Sequence, residues 1–354
     1  MNKIFINARF LTQEVTGVQR FAIEISKQLK QIAPAGQICF VSPPNILHKG
    51  LSSELEAIVV GKHTGHLWEQ LDLMQFLRSQ GNPVLINLAN SAPILYGNNV
   101  VTIHDLAVFH NPKWFSLPYR TYYRFLTPRI IESSRLVFTV SKAVKGEILS
   151  KFDLPKRKVQ VIYNAVSGSF KRSDFQRPAT KAKYVLTVSS LDPRKNLRNL
   201  ILGFTQAEVT DHDLYIIGGK SAAYASTDLE RIIQNDNRIK LLGRVSDEDL
   251  PGLYSNAKLF AYLSFYEGFG LPNIEAMAMG TPVLTSDIAA AKEVCGGAAF
   301  YTNPNNINDI ATTISNLLKA PALLEEYSNK GLSKCREYSW TNSATKLYDA
   351  ITKL

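Results

Sequence analysis

Cysteine is scarce in this chain: Cys39, Cys295 and Cys335 are the three among 354 residues. They are scattered and odd in number. That excludes a disulfide framework and any metal-ligand spacing, and it points to a reducing cytoplasm. Long apolar runs are missing too, and no stretch reaches the length needed to span a bilayer. The opening residues, Met1 to Asn7, hold a short apolar run without a small-residue cleavage site. They read as a first β-strand, not as a secretory leader. No internal repeat or low-complexity segment is visible, and neither is a helix-turn-helix, zinc or RNA-binding motif. Negative charge is in the minority: 30 Asp and Glu against 40 Lys and Arg give a formal net charge of +10. That excess suits anionic partners, whether nucleic acid, anionic lipid or phosphorylated substrates, and does not choose among them.

What is present is the balance of a soluble globular protein, with 45% hydrophobic and 20% charged residues. The length exceeds one ordinary core and suits two domains. Short β-rich runs alternate with helical patterns. Candidate strands are Lys3–Asn7, Ile38–Val41, Pro83–Asn87, Val100–His104, Leu136–Val140 and Val159–Tyr163. A second set follows at Tyr184–Ser189, Leu214–Gly218, Ile239–Leu242, Lys258–Leu263 and Pro282–Ser286. Between them, Val18, Phe21, Ala22, Ile25, Leu29 and Ile32 recur at helical spacing on one apolar face. The alternation predicts parallel sheets covered by helices. Ser167-Gly168-Ser169 and the polar stretch Lys171 to Lys183 mark a seam near residue 166. The expected domains are 1–165 and 166–338, with a last helix in 339–354 packing back on the first. A crevice between two such α/β domains is a natural ligand site.

The segment from Phe265 to Val283 carries the most information. A strand ends near Ser264, Gly268 and Gly270 make a tight loop, and Pro272 suits the first helical position. Gly280 suits a left-handed C-cap. The helix N-terminus presents free N–H groups and the positive end of a dipole, which fit a diphosphate. The glycines let the backbone approach that anion closely. Glu267 in the loop and Glu275 one turn into the helix are good acceptors for sugar hydroxyls. The plainer alternative is a strand–turn–helix whose glutamates face solvent.

This segment closely resembles the Glu-x7-Glu signature of the family 4 retaining glycosyltransferases, which have the GT-B fold of two Rossmann-like parallel-sheet domains. The resemblance extends over nearly the whole chain, with its more specific motifs in the second half. It implies that Glu267 contacts hydroxyls of the donor sugar and that Glu275 binds the nucleotide ribose. The amides of Phe269, Gly270 and Leu271, next to Gly268, would hold the diphosphate.

Other positions extend the match. The stretch Val188 to Leu197 resembles the basic motif whose lysine binds donor phosphates; Lys195 is the counterpart, with Arg194 beside it. Many members carry an arginine where this chain has Ser190, so a two-cation clamp would fall to Arg194. A solvated charged turn is the alternative. His104-Asp105 ends a strand of the first domain and resembles the family's His-Asp. The histidine there contacts the donor sugar near its 6-position, and Asp105 would orient the ring or approach the acceptor. Thr16-Gly17 stands where members often have two glycines, and Gly17 would let the loop turn towards the phosphates. Arg244, in a loop that borders the base by resemblance, would stack on it, contact phosphate, or be exposed. Ser246 is a candidate N-cap there, with Asp249 three residues on.

The resemblance implies transfer with retention. Double displacement needs a carboxylate nucleophile, and none is evident. Front-face displacement, with the leaving diphosphate taking the acceptor proton, is the expected route. No cofactor and no metal site is expected. The expected donor is a GDP- or UDP-sugar, with a slight preference, from the overall resemblance, for mannose or a related hexose. The expected acceptor is a saccharide or lipid-linked saccharide. Rival readings are a GT-B-like sugar-nucleotide epimerase and a basic nucleic-acid binder; a nucleic-acid partner is not expected. Residues Lys113 to Arg135 mix Trp114, Phe115, Tyr119, Tyr122, Tyr123 and Phe125 with Arg120, Arg124 and Arg129. They suit an anionic membrane surface, or a helical hairpin whose aromatics fill the core. The family's role in bacterial surface polysaccharides favours a peripheral place on the cytoplasmic face of the membrane.

Overall fold

Runs that are apolar on both faces need cover on both faces, which is the situation of a parallel strand inside an α/β layer. Ile4–Asn7 (β1), with the sequence Ile-Phe-Ile-Asn, is buried along its whole length. It lies in a sheet with β2 (Ile38–Ser42), β3 (Ile58–Val59), β4 (Val84–Asn87), β5 (Asn99–Ile103), β6 (Leu136–Thr139) and β7 (Val159–Val161). The computed structural model describes residues 3–170, 181–189, 192–218 and 227–354. Among them the first sheet runs β3-β2-β1-β4-β5-β6-β7, all parallel. The second runs β10-β9-β8-β11-β12-β13, also parallel. Its strands are β8 (Tyr184–Val188), β9 (Asp213–Ile217), β10 (Ile239–Gly243), β11 (Leu259–Tyr262), β12 (Val283–Ser286) and β13 (Phe300–Thr302).

The two sheets belong to two compact units, Met1–Asn164 with Ser339–Leu354, and Ala165–Tyr338. Within the first unit, the helix Gly17–Ile32 buries Phe21, Ala22, Ile25 and Leu29 on its apolar face. Val18 and Ile32, at the two ends of that stripe, are half-buried. The C-terminal helix Trp340–Ile351 packs beside it. Trp340 stands edge-on to Phe21 at 5.8 Å, and Ser343 Oγ donates to the Tyr163 carbonyl at 2.7 Å. In the second unit, one core joins Val185, Leu214, Leu259 and Leu284 of the sheet to Leu200, Ile201, Ile310 and Ile314 of its helices.

Two strands lay beyond sequence reading. β3 is two residues with both side chains exposed, and β13 is three residues, so neither shows a period. Of the polar seam, residues 171–180 lie outside the described residues.

The strand orders decide where chemistry is expected. In the first sheet the chain moves outward from β1 through β2 to β3, then returns to add β4 on the other side of β1. The second sheet does the same with β8 and β11. The crevice beyond the carboxyl ends of such a strand pair is where open α/β sheets bind ligands.

Candidate active site

Lys195 follows β8 and Glu267 follows β11, so both lie at the switch point of the second sheet. Asp192 Oδ1 accepts from the Arg194 amide at 2.8 Å and starts a tight turn over Pro193–Lys195. Asn196 closes that turn in the left-handed region at φ 55°, a conformation Asn tolerates better than most residues. Its buried Nδ2 donates to the carbonyls of Leu263 (2.9 Å) and Pro304 (2.8 Å). The Phe265 amide donates to the Arg194 carbonyl at 2.9 Å. These bonds lace the loop after β8 to the loops after β11 and β13.

The result is a close charged pair. Lys195 Nζ donates to Glu267 Oε1 at 2.7 Å and to the Tyr262 hydroxyl at 2.7 Å. The two side chains are 14% and 11% exposed, so the glutamate does not face solvent. Burial pushes the Glu267 carboxyl up, but Lys195 and Arg194 outweigh it and hold the carboxyl below its ordinary value. Burial disfavours the Lys195 ammonium, yet Glu267 and Tyr262 raise it above its ordinary value. The Tyr262 hydroxyl, buried beside Glu267, is pushed up to about 12. At neutral pH the group is therefore an ammonium, a carboxylate and a neutral phenol.

Gly270 turns the chain from this loop into the helix Leu271–Ala278 at φ 85°. A Cβ there would lie 3.1 Å from Asn273 Nδ2 in a backbone conformation that side chains avoid. Pro272 takes the second helical position, not the first, because the helix opens at Leu271. Gly280 ends the helix at φ 70°. Its amide donates to the Met277 carbonyl and that of Thr281 to the Ala276 carbonyl, the paired bonds of a Schellman cap. Gly268, Phe269 and Gly270 are buried, and Phe269 stands edge-on to Tyr338 at 5.4 Å. Glu275 is buried on the helix and accepts from the Tyr254 hydroxyl at 3.1 Å. Burial, then Glu275, raises that hydroxyl well above the ordinary tyrosine value.

Arg244 follows β10 and shares the carboxyl edge of this sheet; it is exposed, just beyond Gly243 at φ 68°. Ser246 Oγ accepts from the Asp249 amide at 3.1 Å, but the helix itself opens at Leu250 with Asp249 as its cap. Ser190 lies outside the described residues.

His104 and Gly17 belong to the first unit. β5 ends at Ile103, so His104 is the first residue beyond the strand. The ring is buried, stands edge-on to Phe21 at 4.8 Å, and has Nε2 2.9 Å from the Leu88 carbonyl. A carbonyl only accepts, so Nε2 carries the hydrogen and Nδ1 is left as an acceptor. Burial lowers its pKa, against the opposing pull of Leu88 and Asp105. Asp105 Oδ1 accepts from the Ala107 amide at 2.9 Å, just ahead of the next short helix, whose N-cap is Leu106. Gly17 has no left-handed φ; it is the first residue of its helix, and a Cβ on it would meet nothing within 4 Å. Its backbone therefore uses no glycine-only conformation, and the missing side chain leaves open space there.

Sequence reading missed Tyr262, Tyr254 and Asn196. The first two bond to charged side chains 67 and 21 residues from them in sequence, and no local pattern announces that. Asn196 sits within the basic stretch Val188 to Leu197, and an asparagine before a helix was its available signal.

Comparison with known proteins settles the family. Residues 15–169 match the family model described as Glycosyltransferase Family 4, and residues 169–334 match Glycosyl transferases group 1. The chain is a family 4 glycosyltransferase. It is 30% identical over 267 residues to O-antigen chain mannosyltransferase B of Escherichia coli, covering 72% of this chain and 70% of that one. It is 28% identical over 344 residues to O-antigen chain mannosyltransferase RfbU of Salmonella typhimurium, covering 92% and 94%. Its fold is GT-B. The structure of Anabaena Alr3699/HepE in complex with UDP and glucose aligns over 100% of both chains, with a TM-score of 0.77 at 19% identity.

Proposed function

We propose that this glycosyltransferase moves mannose or a related hexose, with retention, from a GDP- or UDP-sugar to a saccharide or lipid-linked saccharide acceptor. The observation that carries the donor reading is the Lys195–Glu267 pair at the switch point of the second sheet, next to the helix that opens at Leu271. The preference for mannose rests on the two bacterial relatives, both O-antigen chain mannosyltransferases.

Each group has a task that its chemistry suits. The amides of Phe269, Gly270 and Leu271 and the Lys195 ammonium stabilise the negative charge that grows on the leaving diphosphate. Arg194 adds positive charge, and Arg244 serves the base or phosphate. Glu267 accepts from sugar hydroxyls, and its carboxylate favours an oxocarbenium-like centre. Glu275 accepts from the ribose. His104, neutral with Nδ1 as acceptor, takes a hydroxyl of the transferred sugar, and Gly17 leaves room for the donor. The anomeric C–O bond to the diphosphate breaks while the acceptor oxygen bonds the same carbon from the same face. The acceptor proton passes to the departing diphosphate oxygen. No cofactor takes part in this scheme.

We also assign the exposed side of the helix Leu117–Ser133 to an anionic membrane surface. Leu117, Tyr119 and Phe125 are exposed there beside Arg124 and Arg129. This assignment places the chain peripherally on the membrane; among the described residues no helix is long and apolar enough to cross one.

Thermal denaturation against a panel of nucleotides and nucleotide sugars tests the donor reading. A ligand at 100 times its dissociation constant should add about 2.7 kcal/mol of stability. GDP or UDP and the matching sugar nucleotide should raise the melting temperature. A panel with no stabilising nucleoside diphosphate would remove the donor assignment.

A further inference from the structure

The first sheet has its own charged group at its switch point, in residues that the transfer scheme does not use. Asn7 closes β1 and Asn87 closes β4. Asn7 Nδ2 donates to Asn87 Oδ1 at 3.0 Å and to Glu69 Oε1 at 2.7 Å. Glu69, on the short helix Gly65–Gln70, is fully buried. Ser91 Oγ donates to the same carboxylate oxygen at 2.9 Å. Arg9, just beyond β1, donates through a terminal nitrogen to Ser91 Oγ at 2.8 Å and brings Nε within 3.6 Å of Glu69 Oε1. Burial raises the Glu69 carboxyl, but Arg9, His66 and Ser91 together bring it below its ordinary value.

The second carboxylate oxygen serves a histidine. Glu69 Oε2 lies 3.3 Å from His66 Nδ1. The carboxylate only accepts, so Nδ1 carries the hydrogen, and in the neutral ring Nε2 is the acceptor. The His66 side chain is 33% exposed, while its glutamate is sealed from water. Tyr122 lies 4.7 Å from the imidazole and Tyr123 lies 6.0 Å from it, with the two phenol rings edge to face at 5.3 Å. A desolvated carboxylate is costly where packing alone is needed. Here it fixes the tautomer of a partly exposed ring at the ligand-binding edge of a sheet. A saccharide needs that combination: an aromatic wall for the C–H face of its ring, and a polar atom held in one direction for a hydroxyl.

We propose that His66, oriented by Glu69 and flanked by Tyr122 and Tyr123, binds the saccharide acceptor, with Nε2 accepting a hydroxyl hydrogen. His66 is then a binding residue and Glu69 a positioning residue. Calling the bound sugar an acceptor rests on the transfer reaction proposed above.

The test uses the full chain with ring-labelled histidine and follows the His66 signal by NMR, identified by its loss in His66→Asn. The probes are methyl α-mannoside, α-mannobiose and methyl α-glucoside, and GDP and UDP are titrated separately. At least one sugar should move the His66 signal in a saturable way. Glu69→Gln should shift the ring carbons towards a tautomer mixture and weaken that sugar by about tenfold. Should Glu69→Gln fail to fold, His66→Asn decides, because it alters a partly exposed side chain in a first helical turn. It too should bind the sugar about tenfold more weakly, with nucleoside diphosphate affinity unchanged. A His66 signal that no sugar moves, or equal sugar affinity in His66→Asn, overturns the inference even when nucleotides bind. A chain that binds sugar at His66 but no nucleotide would instead overturn the donor reading.

Discussion

Lys195 and Glu267 are each other's partners in the free chain, so their charges matter to stability as well as to substrate. Replacing Lys195 by Met leaves a largely buried carboxylate, 11% exposed, with Arg194 as its main cation. Breaking such a pair typically costs about 3–5 kcal/mol. The pH dependence has a definite sign. The folded Glu267 value lies below the unfolded one, so its stabilisation is complete above the ordinary glutamate value, about 4.3, and fades as pH falls through the folded value. Lys195 is raised, so its stabilisation holds below its ordinary value and fades only as pH rises past the folded one. The loss in Lys195→Met should therefore be largest near neutral pH and shrink once Glu267 protonates. Urea unfolding at neutral and acid pH measures it, and an equal loss at both would contradict the pairing. The places of Glu267 in the loop, Glu275 on the helix and Lys195 in the turn after a strand were legible in sequence from the glycines, prolines and apolar runs around them. Tyr262 and Tyr254 were not, since their role depends on which strand and helix the fold brings beside a charge. The same holds for Glu69, whose partners Asn7, Arg9 and Ser91 come from distant stretches.

At the scale of elements, the helix Leu117–Ser133 resolves an ambiguity of the sequence by dividing it. Leu126, Ile130 and Ile131 are buried, and Tyr122 and Tyr123 pack against the same core. Leu117, Tyr119 and Phe125 are exposed, and the Arg129 guanidinium lies 3.6 Å over the Phe125 ring. Aromatic residues stand on both faces, so periodicity alone could not choose between membrane and core. The exposed face should carry the chain onto anionic vesicles and release it with salt. Cosedimentation should be lost when Arg120, Arg124 and Arg129 are replaced by glutamate. Equal recovery on neutral and anionic vesicles would contradict a membrane role for this face. The helix that opens at Leu271 was readable in outline because Gly270, Pro272 and Gly280 punctuate it. Its first residue differs by one from the expected start, as the left-handed φ of Gly270 lets Leu271 enter the helix.

At the scale of the whole molecule, the alternation of apolar runs and helical stripes made two parallel sheets legible. It could not show strand order, which depends on long-range pairing, and strand order is what marks the switch points. β3 and β13 were too short to announce themselves. With the order known, each unit has a cation and a carboxylate at its switch point: Lys195 with Glu267 in one, and Arg9 with Glu69 in the other. The central claim is that the Lys195–Glu267 pair handles the donor sugar of a glycosyl transfer. The rate of sugar transfer by Glu267→Gln, set beside the affinity of the same variant for the nucleoside diphosphate, tests it most directly. Glutamine keeps the size of the side chain but weakens the acceptor and removes the negative charge near the developing cation. Transfer should fall by at least about tenfold, the scale of ~1.4 kcal/mol in the barrier, while nucleoside diphosphate affinity changes little. Transfer close to the wild-type rate would contradict the claim.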